Sequence, residues 1–410
     1  MLISLLVTFK ENNILFKLML YLCEMLKAYK YKLSPTKAQI ELINKHIGAV
    51  RFVFNLGLEC KNYAYASNRK NLSCFDLNNQ LPELKKECEW LKEINAQSLQ
   101  QSITNLDKAF TQFFHGHAAF PNFKKKNRGT QSFRCQQGIK IKENKIIIPK
   151  FKEGIKFVQD RIFEGEIKST TISRTPTNKY FVSVLVDNHK ELPKKKPIKE
   201  QTAIGIDLGI KSFIVTSNGL KIDNPKHLKK ALLHLKYLQR QVSKKKKGGA
   251  NRKKAVYKLA IQHEKITNQR KDFLHKLSSK LISENQTLCF EDLNISGMIK
   301  NHKLAQSIGD CGWGMFVDMC KYKAEWSGDN ILQIPTFAPS TKLCNVCGAV
   351  NHTLTLKDRE WTCANCLTTH DRDTNAAIVI KKYCLKEKGR RLYASKSGEL
   401  LPMGKVMNQK

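Results

Sequence analysis

Two C-x2-C turns, Cys344 with Cys347 and Cys363 with Cys366, stand fifteen residues apart toward the C-terminal end of a 410-residue chain. Four thiolates at this spacing fit a tetrahedral zinc shell and predict a small zinc ribbon over residues 338–369. Four protein ligands leave no open position on the ion. The zinc is therefore expected to be structural, and any chemistry must come from other residues. The remaining nine of the 13 cysteines follow no spacing pattern. That scatter and the odd total speak against a disulfide framework and for a reducing compartment.

The candidate chemistry lies in three acids that bracket the cysteine frame. Ala203-Ile204-Gly205-Ile206-Asp207-Leu208-Gly209 reads as a strand delivering a carboxylate to a glycine-flanked end, and Leu288-Cys289-Phe290-Glu291 does the same. In His370-Asp371-Arg372-Asp373-Thr374-Asn375-Ala376-Ala377 an acid opens a helix. Hydrolysis of a phosphodiester by two divalent ions needs hard oxygen ligands holding the metals roughly 3.5–4 Å apart, which suits carboxylates and Mg2+. Asp207 is expected to bridge two Mg2+ ions, with Glu291 and Asp373 each completing one shell. Asp292 and Asp371 are read as neighbours that hydrogen-bond or face solvent.

The chain carries 72 Lys and Arg against 35 Asp and Glu, a formal charge of +37 spread along its length, so its expected partner is a polyanion. Two basic clusters are candidate nucleic-acid contacts. One is Lys124, Lys125 and Lys126, after Phe120-Pro121-Asn122-Phe123; the other is Lys244, Lys245, Lys246 and Lys247 with Arg252 and Lys253, joining helices predicted at about 225–242 and 252–284. Leu228, Leu232, Leu235 and Leu238, and Leu259, Ile266, Phe273, Leu277 and Leu281, are read as their packing stripes. Phe120 and Phe123 suit either base stacking or a core, and the core reading is preferred.

Helical spacing dominates from about Lys37 to His117, followed by short strand-like runs at 139–141, 145–149, 155–158, 166–171 and 180–186. Residues 191–200, with Pro193 and Pro197 among lysines, read as an exposed linker. The first 26 residues are apolar but interrupted by Lys10, Glu11, Lys17 and Glu24. They fit neither a membrane span nor a signal peptide, and read as an extension before an alternative start at Met25, with patterned sequence beginning at Lys27.

Taken together, Tyr29-Lys30-Tyr31-Lys32-Leu33, Arg51-Phe52-Val53-Phe54-Asn55, Phe120-Pro121-Asn122-Phe123, Gly205-Ile206-Asp207-Leu208-Gly209, Phe290-Glu291-Asp292-Leu293-Asn294, Pro339-Ser340-Thr341-Lys342-Leu343-Cys344 and Asp371-Arg372-Asp373-Thr374-Asn375-Ala376-Ala377 resemble the transposon-encoded TnpB (OrfB) proteins, relatives of type V CRISPR effectors. The resemblance runs from Lys27 to about Leu385. It implies an α+β multidomain fold: a split OB-like β-barrel (wedge) over 27–45 and 118–195, with a helical recognition insert at 46–117. An RNase H-like (RuvC) nuclease domain at 201–337 and 370–386 follows, interrupted by the zinc ribbon, with a basic flexible tail at 387–410. It also implies an RNA-guided DNA endonuclease, whose guide RNA derives from the transposon end and whose double-stranded DNA target carries a short adjacent motif. The expected setting is a prokaryotic cytoplasm, at the nucleoid, without a membrane. The competing expectation is a DNA-binding transposase or accessory protein that acts without an RNA guide.

Overall fold

The computed structural model describes residues 24–126, 129–336, 338–355, 357–386 and 391–392. They form two compact units, Glu24–Lys190 and the part from Glu191 onward. Among the described residues no helix is long and apolar enough to cross a membrane.

The first unit opens with strand β1 (Glu24–Leu33), followed by helices α1 (Lys37–Asn68), α2 (Cys74–Asn79), α3 (Leu81–Glu87) and α4 (Ala96–Phe114). Strands β2 (Gln131–Cys135), β3 (Lys140–Lys142), β4 (Lys145–Ile148), β5 (Phe151–Val158), β6 (Glu166–Arg174) and β7 (Tyr180–Glu191) complete it. They make one seven-stranded sheet in the order β2-β6-β7-β1-β5-β4-β3. Thr36 starts α1 with a reciprocal capping box, its side chain accepting from the Gln39 N–H while the Gln39 side chain accepts from the Thr36 N–H. His46, fully buried, accepts from the Asn95 N–H (3.2 Å) through Nε2 and donates through Nδ1 to the Leu42 carbonyl (2.9 Å). Burial lowers its pKa to about 4, so a neutral ring ties α1 to the start of α4.

The second unit carries β8 (Ala203–Leu208), β9 (Ser212–Thr216), β10 (Lys221–Asp223), the helices α5 (His227–Ser243) and α6 (Ala250–Glu284), and β11 (Thr287–Glu291). Helices α7 (Ile295–Met298), α8 (Ala305–Cys311) and α9 (Trp313–Ser327) lead to β12 (Asn330–Ile334). The hairpin β13 (Glu360–Thr362) and β14 (Thr369–Asp371), helix α10 (Arg372–Leu385) and β15 (Arg391–Leu392) follow. The six-stranded sheet runs β10-β9-β8-β11-β12-β15. Its centre, β8-β11-β12, is parallel and its flanks are antiparallel. All three parallel strands are mostly buried, as strands covered on both faces should be, and apart from Asn330 and Gln333 of β12 their middles are apolar. One face packs Ile204, Ile206, Leu288 and Phe290 against α6 and α9; Cys289, Leu332 and Ile334 pack with Ile380 and Cys384 of α10.

Several expectations change. Glu24, Met25 and Leu26, expected to precede the patterned sequence, already belong to β1, with Met25 buried; the rest of the expected extension lies outside the described residues. Helix α1 runs unbroken across the boundary expected at 45/46. Strand β2 was not foreseen, because only Phe133 and Cys135 mark its buried side within a polar stretch. Phe120 and Phe123 are not core residues: they are 46% and 49% exposed, with Phe120 edge-on to Phe110 and Phe113. The expected linker is tied down, since Lys196 pairs with the buried Asp329 (2.7 Å) and its carbonyl accepts from Asn330 Nδ2 (2.9 Å). Within the expected flexible tail, Arg391–Leu392 pairs with β12; the other tail residues lie outside the described part. In the stripes Leu235, Leu238, Ile266, Leu277 and Leu281 are buried, while Leu228, Leu232, Leu259 and Phe273 are half-buried.

Helix α10 sits directly on β8, and Gly205 is why it can. A Cβ built there would lie 2.0 Å from the Ala377 carbonyl oxygen and 2.9 Å from Lys381 Cβ. Gly205→Ala must push the helix off the sheet, and a loss of about 3 kcal/mol or more is expected. Thermal unfolding checks it: an unchanged melting temperature would contradict the packing.

Candidate active site and metal centre

Asp207 lies near the end of β8 and Glu291 at the end of the adjacent parallel strand β11, so the same sheet edge presents both. Asp373 lies in the first turn of α10, the helix seated on β8. Burial, and after it the charges of Glu291 and Asp373, raise the pKa of Asp207 to about 8 against the opposing charge of Arg372. The three acids therefore share one electrostatic environment although 166 positions separate the first from the last. Burial also raises Glu291, against a hydrogen bond that it accepts from Ser340 Oγ. Asp373 is held by Arg372 (Nη2–Oδ1 3.0 Å, Nε–Oδ1 3.1 Å) and Arg359 (Nη1–Oδ2 3.3 Å).

The neighbouring acids are engaged elsewhere. Asp371 caps α10, accepting from the Thr374 N–H (2.9 Å) and hydroxyl (2.8 Å), and pairs with Lys221 (2.6 Å). Asp292 accepts from Thr336 Oγ1 at 3.4 Å.

The four cysteine sulfurs lie within 4.8 Å of one another. Cys344 and Cys366 are 3.6 Å apart, and Cys347 and Cys363 are 3.5 Å apart. Tetrahedral zinc with Zn–S of about 2.3 Å would set its sulfurs about 3.8 Å apart, so the donor set fits that ion. Among the described residues no other acidic, histidine or cysteine group is gathered so tightly; the three carboxylates are linked through charge at wider spacing. Their hard oxygen donors suit Mg2+ or Mn2+ and not a thiolate-seeking ion.

Two links join the ribbon to the carboxylate helix. Asn375, buried on α10, donates to the Leu343 carbonyl (2.8 Å) and accepts from both the N–H (3.0 Å) and Nδ2 (2.8 Å) of Asn345, inside the first cysteine turn. Arg372, also buried, donates to the Asp358 carbonyl (3.0 Å) between the two turns. Sequence reasoning missed the roles of Ser340, Arg372 and Asn375. Each stands within a stretch already marked by its neighbours, and only the fold shows which atoms they meet.

Of the candidate nucleic-acid contacts, Lys125, Lys126, Lys244, Lys246, Lys247 and Lys253 are exposed, and Lys245 is half-buried. Two others are engaged in the protein. Lys124 places its ammonium 3.8 Å above the Phe54 ring, where burial lowers its pKa. Arg252 donates from Nη1 to the carbonyls of Val242 (2.5 Å) and Lys245 (3.0 Å), closing the turn between α5 and α6.

Three family profiles match parts of this chain. A family profile described as "Probable transposase" (OrfB_IS605) matches residues 181–302, and a "Cas12f1-like, TNB domain" profile matches 313–380, which includes all four cysteines and Asp373. A "Helix-turn-helix domain" profile of the same OrfB_IS605 group matches 25–70, where the structure has β1 followed by the single helix α1. A protein of Streptomyces pristinaespiralis is 38% identical over 86% of this chain and 88% of its own. The chain belongs to the TnpB/OrfB family.

Another relative, from Escherichia coli K12, is 29% identical to this TnpB/OrfB chain over 87% of it and 91% of the relative. Both carry the name "Putative RNA-guided DNA endonuclease", the second as InsQ. The fold of this TnpB/OrfB chain is similar to that of a Cas12f1 chain solved by cryo-EM with its sgRNA and target DNA (TM-score 0.54, 14% identity, 86% of this chain and 84% of that one).

Asp207 supplies a pH test. The unfolded carboxyl ionises near 3.9, so a folded pKa of about 8 means that the folded chain binds the extra proton between those values. Stability must then fall as pH rises through that window, by at most about 1.4 kcal/mol per unit. In Mg2+-free buffer Asp207→Asn should melt above the wild type at pH 8.5, with the difference vanishing by about pH 4. Equal melting temperatures throughout would refute the burial and repulsion assigned to Asp207.

Proposed function

We propose that this protein is a transposon-encoded, RNA-guided DNA endonuclease that cuts at Asp207, Glu291 and Asp373. The observation that carries the reading is the charge interaction of Glu291 and Asp373 with the half-buried Asp207, in a chain whose relatives bear that name along nearly their whole length. Strand order β10-β9-β8-β11-β12, with an antiparallel flank and a parallel centre, supports an RNase H-like (RuvC) nuclease domain. The seven-stranded sheet of the first unit, antiparallel at β2-β6-β7 and at β1-β5-β4-β3, supports a split OB-like wedge around a helical recognition insert, and residues 338–369 fit a zinc ribbon held by Zn2+ at Cys344, Cys347, Cys363 and Cys366.

Asp207, Glu291 and Asp373 would hold Mg2+, which when bound supplies an activated water and charge stabilisation at a scissile phosphate. The protein's own groups prepare that site. Ser340 fixes one oxygen of Glu291, and Arg359 and Arg372 hold Asp373 close to the ribbon. The proton kept on Asp207 below about pH 8 must leave before its carboxylate can ligate, so Mg2+ affinity rises with pH through that range. Exposed Lys125, Lys126, Lys244, Lys246, Lys247 and Lys253, with the half-buried Lys245, supply phosphate contacts. Lys124, exposed beside the Phe54 ring, and Arg252, which closes the turn between α5 and α6, complete the two basic clusters. The partners are a guide RNA from the transposon end and double-stranded DNA with a short adjacent motif.

Expression with the native flanking DNA, purification in high salt and sequencing of the retained RNA tests this reading. A discrete RNA from the element's end is expected; random RNA, or none, would favour a DNA-binding transposase without a guide. A second expectation concerns the ribbon: Cys344→Ser should lower bound zinc from one ion per chain and reduce DNA cutting at least tenfold, because Asn375 ties that turn to the helix of Asp373. Full zinc content with full activity would contradict it.

A further inference from the structure

The α5–α6 hairpin carries chemistry that the carboxylate site does not use. From His227 to His263 the chain has twelve Lys and Arg and not one Asp or Glu. Between the two helices lies a groove of about 520 Å3, with Lys245, Lys254 and Lys258 on its walls and no carboxylate among its lining residues. Tyr237, 56% exposed, also lines it, with the His234 ring near-parallel at 6.3 Å between centroids. Gln241 and Asn251 add side-chain amides that both donate and accept.

We propose that this groove docks a single-stranded segment of RNA. The proposal rests on the reading above, in which the protein carries a guide. Lysines without neighbouring acids attract a phosphate backbone, an exposed tyrosine gives a base a face to stack on, and amides match the 2′-hydroxyl, itself both donor and acceptor. A cleft between two adjacent helices admits one strand, whereas a duplex about 20 Å across would ride over it. The hairpin is fixed for this task at its base: Asp310 accepts from the Leu228 N–H (3.0 Å) at the start of α5 and pairs with Arg270 of α6 (3.0 Å). At its tip, Arg252 closes the turn.

Photo-crosslinking the full-length protein to single-stranded RNA containing 4-thiouridine, followed by peptide mapping, tests the site. The same sequence as single-stranded DNA containing 4-thiothymidine, and as duplex DNA, serves for comparison. Peptides carrying Tyr237 or Lys254–Lys258 should dominate with RNA. Tyr237→Ala should weaken RNA binding roughly fivefold or more, and Lys254→Gln with Lys258→Gln should lower the slope of log affinity against log salt by about 1.4. All three side chains are at the surface, so the variants should melt like the wild type. Crosslinks elsewhere, unchanged affinity and slope, or stronger crosslinking to the DNA strand would overturn the proposal. Chain dimerisation lost in Tyr237→Ala, with RNA binding intact, would assign the groove to a second copy instead. Because binding is read without cleavage, failure of the groove is separable from failure of the nuclease reading.

Discussion

The close seat of α10 on β8 governs the geometry of the second unit. Gly205 allows the Ala377 carbonyl to reach the strand, and any side chain at that position would occupy the same space. Two residues further along β8, Asp207 emerges where the first turn of α10 carries Asp373; the neighbouring strand β11 ends in Glu291. A helix from the end of the chain thus meets a strand from its middle. The free energy of that packing must offset the cost of gathering acids whose like charges oppose one another at Asp207.

The ribbon enters the same balance. Its two cysteine turns would be a small fold with little core of its own, since among the described residues only Leu354 and Trp361 join Cys344 and Cys363 as buried hydrophobic residues there. A metal held by four sulfurs is the usual way so little apolar surface is made to fold. Asn375 and Arg372 then pass that rigidity to α10, and Arg359, just before the ribbon's hairpin, reaches Asp373 directly. The four-cysteine cluster and the helix of Asp373 are in this way mechanically joined although their donor chemistries differ.

How much could be read beforehand depended on whether the signal was local. The strands carrying Asp207 and Glu291 were legible as apolar runs closing near an acid, and the cysteine frame because its spacing is specific. Strand β2 was not, with only Phe133 and Cys135 to mark it. Phe120 and Phe123 show the limit of composition: a ring in an apolar-looking motif can still stand at the surface. Lys124 and Arg252 looked like phosphate contacts by charge, yet one faces the Phe54 ring and the other caps carbonyls. Lys196 and Asp329 fasten a segment that proline and lysine content had marked as free. In each case the deciding partner is far away in the chain or lies on another element.

The most direct test of the shared carboxylate site is a plasmid-cleavage assay with the RNA-loaded protein, comparing wild type with Asp207→Asn, Glu291→Gln and Asp373→Asn at matched RNA occupancy and DNA binding. If the three acids form one centre, each single change should reduce cutting by at least about a thousandfold, and combining two should add little further loss. Near-wild-type cutting by any one variant, with binding intact, would contradict the common site.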